Sequence, residues 1–176
     1  LGATDTWNLT LSGTILAGTT SNVEVINITN LAGAQAVDAS KFTGATQLNA
    51  DRGTGATTFN NLASGQQAGM VGNGVVLNGN SIFNYGITVP SATVAISGGT
   101  RAGTITLTGT GISAATINST GAANTVGAIA LPATTTGLTI NASSDLTTGN
   151  ISGFTSTAST ITVSGAASSV SIGTLD

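Results

Sequence analysis

Six acidic and three basic side chains are all the full charges that this 176-residue chain carries: Asp5, Glu24, Asp38, Asp51, Asp145, Asp176, Lys41, Arg52 and Arg101. Asp38 and Asp51 lie thirteen residues apart, a separation that would set two carboxylates on nearby corners of a repeating fold, with Arg52 as a cationic stabiliser. A carboxylate pair is what cleavage of a glycosidic bond requires. The competing reading makes Asp38-Ala39-Ser40 an Asx turn and Asp51-Arg52-Gly53 a solvated turn with a local ion pair. A sugar-cleaving groove would also offer aromatic platforms, and one Trp, one Tyr and four Phe supply few. Nucleophilic hydrolysis is poorly served, because without His or Cys neither a Ser-His nor a Cys-His pair can be assembled. Lys41, the single lysine, sits in Ala39-Ser40-Lys41-Phe42, which has no nucleophile-elbow pattern. The chain therefore reads as non-enzymatic.

Calcium is the metal that suits these residues, since it takes oxygen ligands from carboxylates and turn carbonyls. Candidate ligands are Asp5, Glu24, Asp38 and Asp51, with Asp145 as a further isolated turn aspartate. The glycine-rich nonapeptide of calcium-binding β-rolls is absent: Gly98-Gly99-Thr100-Arg101 puts a cation where that loop would continue. Threonine arrays offer a different chemistry. Thr104, Thr106, Thr108 and Thr110, and again Thr160 and Thr162, set hydroxyls on one strand face, as an ice-binding solenoid would. These two motifs do not recur in the same register on successive units, so they read as threonine's suitability for an exposed strand face.

What must position these groups is legible from composition. With 40% hydrophobic residues and a formal charge of −3, the chain has enough apolar content for a core and lacks the signature of disorder. Three scattered cations make no basic stripe, so nucleic acid is not an expected partner. Cysteine is absent, which removes disulfides and thiolate metal sites. Neither a membrane span nor a signal peptide is present, and the chain opens at Leu1, so it reads as a segment of something longer.

Strong helix formers are scarce, and Thr, Val and Ile alternate with small polar residues. Period-two runs predict strands at Trp7–Leu11, Val23–Ile28, Thr104–Thr108, Leu138–Ile140 and Thr160–Val163. Val37, Leu48 and Phe59 recur every eleven residues, and Leu107, Ile117, Ile129, Ile140, Ile151, Ile161 and Ile172 every ten to twelve. Two such units make a coil of about 22 residues, suited to a rung of a parallel β-solenoid that buries its apolar face by stacking on its neighbours. The fold class is all-β, with the solenoid (β-helix) favoured and a β-sandwich fitting the same strand spacing. An apolar residue precedes Asn at Ile26-Asn27, Leu48-Asn49, Phe59-Asn60, Leu77-Asn78, Ile117-Asn118 and Ile140-Asn141, which suits either amide ladders between rungs or turns. The rhythm weakens over 63–90, a stretch that reads as a loop excursion, a short helix or a junction. The expected organisation is a repeat segment over 1–90 and a regular one over 91–176, continuous as one elongated domain. Val170-Ser171-Ile172 shows no polar cap, which suggests further repeats.

The order Thr4-Asp5-Thr6-Trp7-Asn8-Leu9-Thr10-Leu11, then Asn22-Val23-Glu24-Val25-Ile26-Asn27-Ile28, then Val37-Asp38-Ala39-Ser40-Lys41-Phe42-Thr43-Gly44, resembles the β-strand repeats of bacterial S-layer proteins and related large surface adhesins. The match covers roughly the first third of the chain; the rest agrees in composition and rhythm. The resemblance implies an extracellular, usually calcium-assisted lattice or adhesin protein of Gram-negative bacteria. Its motif acids correspond to Asp5, Glu24 and Asp38, which it would use to order turns or bind calcium. The partners it implies are identical copies in a surface lattice or a cell-surface glycan, with no membrane insertion.

Overall fold

In the computed structural model, residues 4–13, 18–153 and 159–176 are described, excepting the side chain of Ala102. Two stacks of strands run side by side. The first sheet holds β1 (Thr6–Leu11), β3 (Val25–Asn30), β6 (Gln47–Asp51), β8 (Gln67–Val71), β10 (Ser91–Ser97), β12 (Ala114–Thr120), β14 (Gly137–Ala142) and β17 (Thr160–Ser164), in that spatial order. The second holds β4 (Gln35–Asp38), β7 (Thr57–Leu62), β9 (Ser81–Tyr85), β11 (Arg101–Thr108), β13 (Asn124–Ala130), β15 (Leu146–Thr148) and β18 (Val170–Ile172), with β16 (Ile151–Ser152) paired beside β15 on β13. A minor third sheet pairs β2 (Thr20–Ser21) with β5 (Phe42–Thr43), and a single 3₁₀ turn covers Ala39–Lys41. The chain alternates between the two main sheets, and every strand pairing is parallel. This is a parallel β-solenoid. Hairpins are what a sandwich would need, and among the described residues there are none.

The half-period read from the sequence is the distance from one sheet to the other. Val37 and Phe59 are register partners in the second sheet, while Leu48, midway between them, stacks on Ile26 in the first. Likewise Ile117 pairs with Ile140 in the first sheet and Ile129 with Ile151 in the second. Three positions depart from the pattern: Ile105, not Leu107, partners Ile129; Ile161 stacks on Leu138 while Val163 continues the Ile140 column; and Ile172 partners Thr148 while Leu175 bridges to Ile151.

Inside the coil, alternate residues form continuous apolar columns. Ile26, Leu48, Ala68, Val94, Ile117 and Ile140 follow one another through successive rungs of the first sheet, all at 2% exposure or less. In the second sheet Val37, Phe59, Phe83 and Leu107 do the same, and the Phe59 and Phe83 rings stack with centroids 5.0 Å apart and planes 1° from parallel. Each inward Val, Ile, Leu or Phe stabilises the coil by about 1.5–3 kcal/mol, but only because a neighbour above or below removes it from water. On β17, whose described partner lies on one side only, Ile161 and Val163 are 37% and 50% exposed.

The stretch 63–90 contributes β8 and β9 to the same two sheets, so its weak alternation conceals two regular strands. Its irregular pieces are the corners, of which 72–80 is the longest excursion. Corners that turn inward are closed by buried asparagines. Asn124, 1% exposed, accepts from Gly99 N (3.1 Å) and Thr100 N (2.9 Å) through Oδ1. Its Nδ2 donates to Ser119 Oγ (2.9 Å) and Thr120 O (3.1 Å). Gly99 holds φ +77 at this corner, and a Cβ there would lie 2.9 Å from Gly74 N, so neither the angle nor the space admits a side chain. Asn30 performs the same service lower down, donating to Ala56 O (2.7 Å) and Gly33 O (3.0 Å).

Because Phe59 and Phe83 are among the largest fully buried side chains and stack on one another, Phe83→Ala is expected to lower unfolding free energy by about 3–5 kcal/mol, read from the urea midpoint. An unchanged midpoint would mean that the rungs do not depend on this column.

Candidate functional site

The four candidate calcium ligands occupy three different corners. Asp5 and Glu24 precede β1 and β3 and share a corner on adjacent rungs, where Glu24 Oε2 accepts from Asp5 N at 2.8 Å. Asp38 closes β4 on leaving the second sheet. Its Oδ1 accepts from Ser40 N (3.1 Å), Ser40 Oγ (2.7 Å) and Asn61 Nδ2 (3.0 Å), so it forms an Asx turn that also reaches the next rung. The Asn61 and Ser40 donors hold its carboxyl below the usual carboxylate range. Asn61 reaches it from a left-handed backbone position (φ +61), at the point where the β7–β9 register shifts. Asp51 ends β6 in the first sheet, so the Asp38–Asp51 pair is split between the two sheets.

Asp51 sits in a turn with a local ion pair, but it is buried rather than solvated. Its side chain is 3% exposed, and both carboxylate oxygens are taken at 2.6 Å by the Arg52 guanidinium, which folds back from a left-handed residue at φ +49. Asp145 accepts from Ser169 N at 3.0 Å. Among the described residues no three acidic side chains converge, and calcium takes about six to eight oxygens. The donors around Asp38 and Asp51 are N–H and O–H groups and a guanidinium, which a cation would have to displace. The four acids are therefore not gathered into one cluster. The described residues also form no pocket.

The outer faces of the two sheets carry side-chain ladders. On the first sheet, the Asn positions flagged by the apolar-Asn pattern form amide ladders within strands. Asn27 Nδ2 donates to Asn8 Oδ1 and Asn49 Nδ2 to Asn27 Oδ1, both at 2.7 Å. That ladder ends at Gly69, where a Cβ would meet Asn49 Oδ1 at 1.7 Å. A second ladder begins further along: Asn141 Nδ2 donates to Asn118 Oδ1 (3.1 Å), and Ser164 Oγ to Asn141 Oδ1 (2.8 Å). On the second sheet Asn84 Nδ2 donates to Asn60 Oδ1 (2.6 Å), and Thr108 Oγ1 bonds Asn84 in turn.

Threonine also stacks in register, at positions that the two motifs singled out in the sequence did not reveal. Thr93 pairs with Thr116, Thr116 with Thr139 and Thr139 with Thr162, a rank of four on the outer face of the first sheet. Of these only Thr162 belongs to those motifs; the signal that would have found the rank is its constant interval of 23 residues.

The second sheet's outer face carries the column Ala36, Thr58, Ile82, Thr106, Ala130 and Ser152, with Ile82 37% exposed. The corner 72–80 is tied to its neighbours by backbone bonds such as Gly74 N to Gly99 O at 2.9 Å. Val75 and Leu77 are 74% and 56% exposed there, on a loop braced by Asn73 Oδ1, which accepts from Val75 N (3.0 Å) and Val76 N (2.9 Å). Arg101 Nη1 reaches the carbonyls of Gly74 and Val75 at 3.3 Å. Tyr85 at the end of this region is turned inward, 6% exposed, and burial pushes its hydroxyl above the usual tyrosine range.

No helix among the described residues is long and apolar enough to cross a membrane. No family model, no curated protein and no solved structure matches this chain.

The corner geometry sets an expected outcome for calcium: the melting temperature is the same in millimolar calcium as in EGTA. A rise of several degrees in calcium would show that one of these corners binds the ion in the folded state.

Proposed function

We propose that this chain is a non-catalytic, load-bearing segment of a bacterial surface-layer protein, acting as a rigid β-repeat wall or stalk that associates with identical copies on the extracellular surface. The observation that supports this most directly is the pair of parallel strand stacks, in which successive rungs are braced by backbone bonds and apolar columns, with amide ladders over part of their length. The small number of charges agrees with it, because like-charged flanks repel when copies pack side by side. The S-layer-like order of residues around Asp5, Glu24 and Asp38 supplies the kind of scaffold and its location. The second sheet's outer face is the contact surface in this reading: small residues surround Ile82, which no described residue covers fully.

The exposed corner around Val75 and Leu77 favours a second reading, an adhesin segment that recognises a glycan or host surface through this loop. Sedimentation velocity at increasing concentration separates the two. Under the lattice reading the protein self-associates, and Ile82→Lys weakens that association while leaving the melting temperature unchanged. A protein that stays monomeric at high concentration, yet binds a glycan array and loses that binding when Val75 and Leu77 are changed to Ser, would replace the lattice reading with the adhesin one.

A further inference from the structure

We propose that the outer face of the first sheet from β10 to β17 is an ice-binding surface. The rank Thr93–Thr116–Thr139–Thr162 repeats at the interstrand distance of about 4.8 Å. A second rank, Ala95–Asn118–Asn141–Ser164, runs parallel to it two residues further along each strand, roughly 6.6 Å away. The face is thus periodic in two dimensions, and a ligand that uses all of it must be periodic in two dimensions as well.

Three further properties choose among such ligands. None of the four threonine hydroxyls hydrogen-bonds to another described residue, so their bonding capacity is directed to what lies outside. The adjoining rank is held in place by its own side-chain bonds, Asn118 to Asn141 to Ser164, so the array is ordered before anything binds. Finally, the outward positions of these four strands are Thr, Asn, Ser, Ala and Gly, with no charged and no aromatic side chain. A charged polymer finds no counter-charge here, and a sugar ring finds no platform on which to stack. A neutral crystalline lattice of water fits: threonine offers it a hydroxyl to join the lattice and a methyl to sit in its hollows. The rungs fix the spacing of those groups along the solenoid axis. β-Branching at Thr restricts rotation about χ1, which reduces the freedom lost when the hydroxyls join a lattice.

The test is adsorption of the fluorescently labelled full chain to a growing single crystal of ice, together with thermal hysteresis measured by nanolitre osmometry. The labelled protein is expected to coat specific planes of the crystal. The double variant Thr93→Lys and Thr139→Lys, whose substitutions point away from the core and lie on non-adjacent rungs, is expected to be excluded from the ice while keeping the wild-type melting temperature. Thr106→Lys, on the opposite sheet, is expected to bind as wild type does. Exclusion of the wild-type protein from ice, or equal adsorption of the double variant, would overturn the proposal. The result is independent of self-association through the second sheet, because Ile82→Lys leaves this face intact.

Discussion

Every feature of this molecule follows from one constraint: a rung of the coil cannot close its own core. A strand of five to eight residues has one apolar side and a row of backbone amides on each edge, and alone it leaves nearly all of them in water. Stacking in parallel register satisfies both needs at once, since the strands above and below take up the amides and the inward side chains meet their counterparts. Ile26 is fully buried because Leu48 follows it and Trp7 precedes it. At β17, with a described partner on one side only, the same kind of residue is half open to solvent.

The constraint also explains the composition. At corners the chain must turn between sheets within a few residues while backbone passes close to backbone, so glycine fills positions such as Gly99, and asparagine supplies the hydrogen bonds that a tight turn leaves unmade. On the outer faces the interstrand spacing places like residues above one another at contact distance. Stacked charges would repel at that distance, whereas Asn can donate and accept along the same line, as in Asn8–Asn27–Asn49. Nine full charges in 176 residues accord with outer faces on which such ladders and small neutral side chains stand in register.

The resulting surfaces differ in character. One sheet presents ordered ranks of hydroxyls and amides, the other a flatter column of Ala, Thr and Ile, and one corner carries a braced apolar loop. The acids, by contrast, are taken up by local tasks. Asp38 caps a turn and reaches the next rung through Asn61, and Asp51 is clasped by the neighbouring arginine. Their sequence separation made a joint role plausible, but a thirteen-residue interval carries the chain just over half a rung and so onto the other sheet.

By itself the sequence determined the strand character, the half-period of about eleven residues and the inward faces, because alternation and apolar spacing are local properties that each strand writes in its own residues. It pointed to parallel stacking through the apolar-Asn pattern without choosing it over turns, since an Asn ladder and an Asn turn leave the same dipeptide behind. Only the tertiary structure decided which residues share a column. Rung lengths vary with their corners, as the 19-residue step from Asn8 to Asn27 and the 22-residue step from Asn27 to Asn49 show. A fixed period therefore drifts out of register, placing Ile161 on Leu138 rather than on Ile140. The fate of each acid was likewise settled by which corner it reached and which donors waited there, which is a property of the stacked coil and of no single strand.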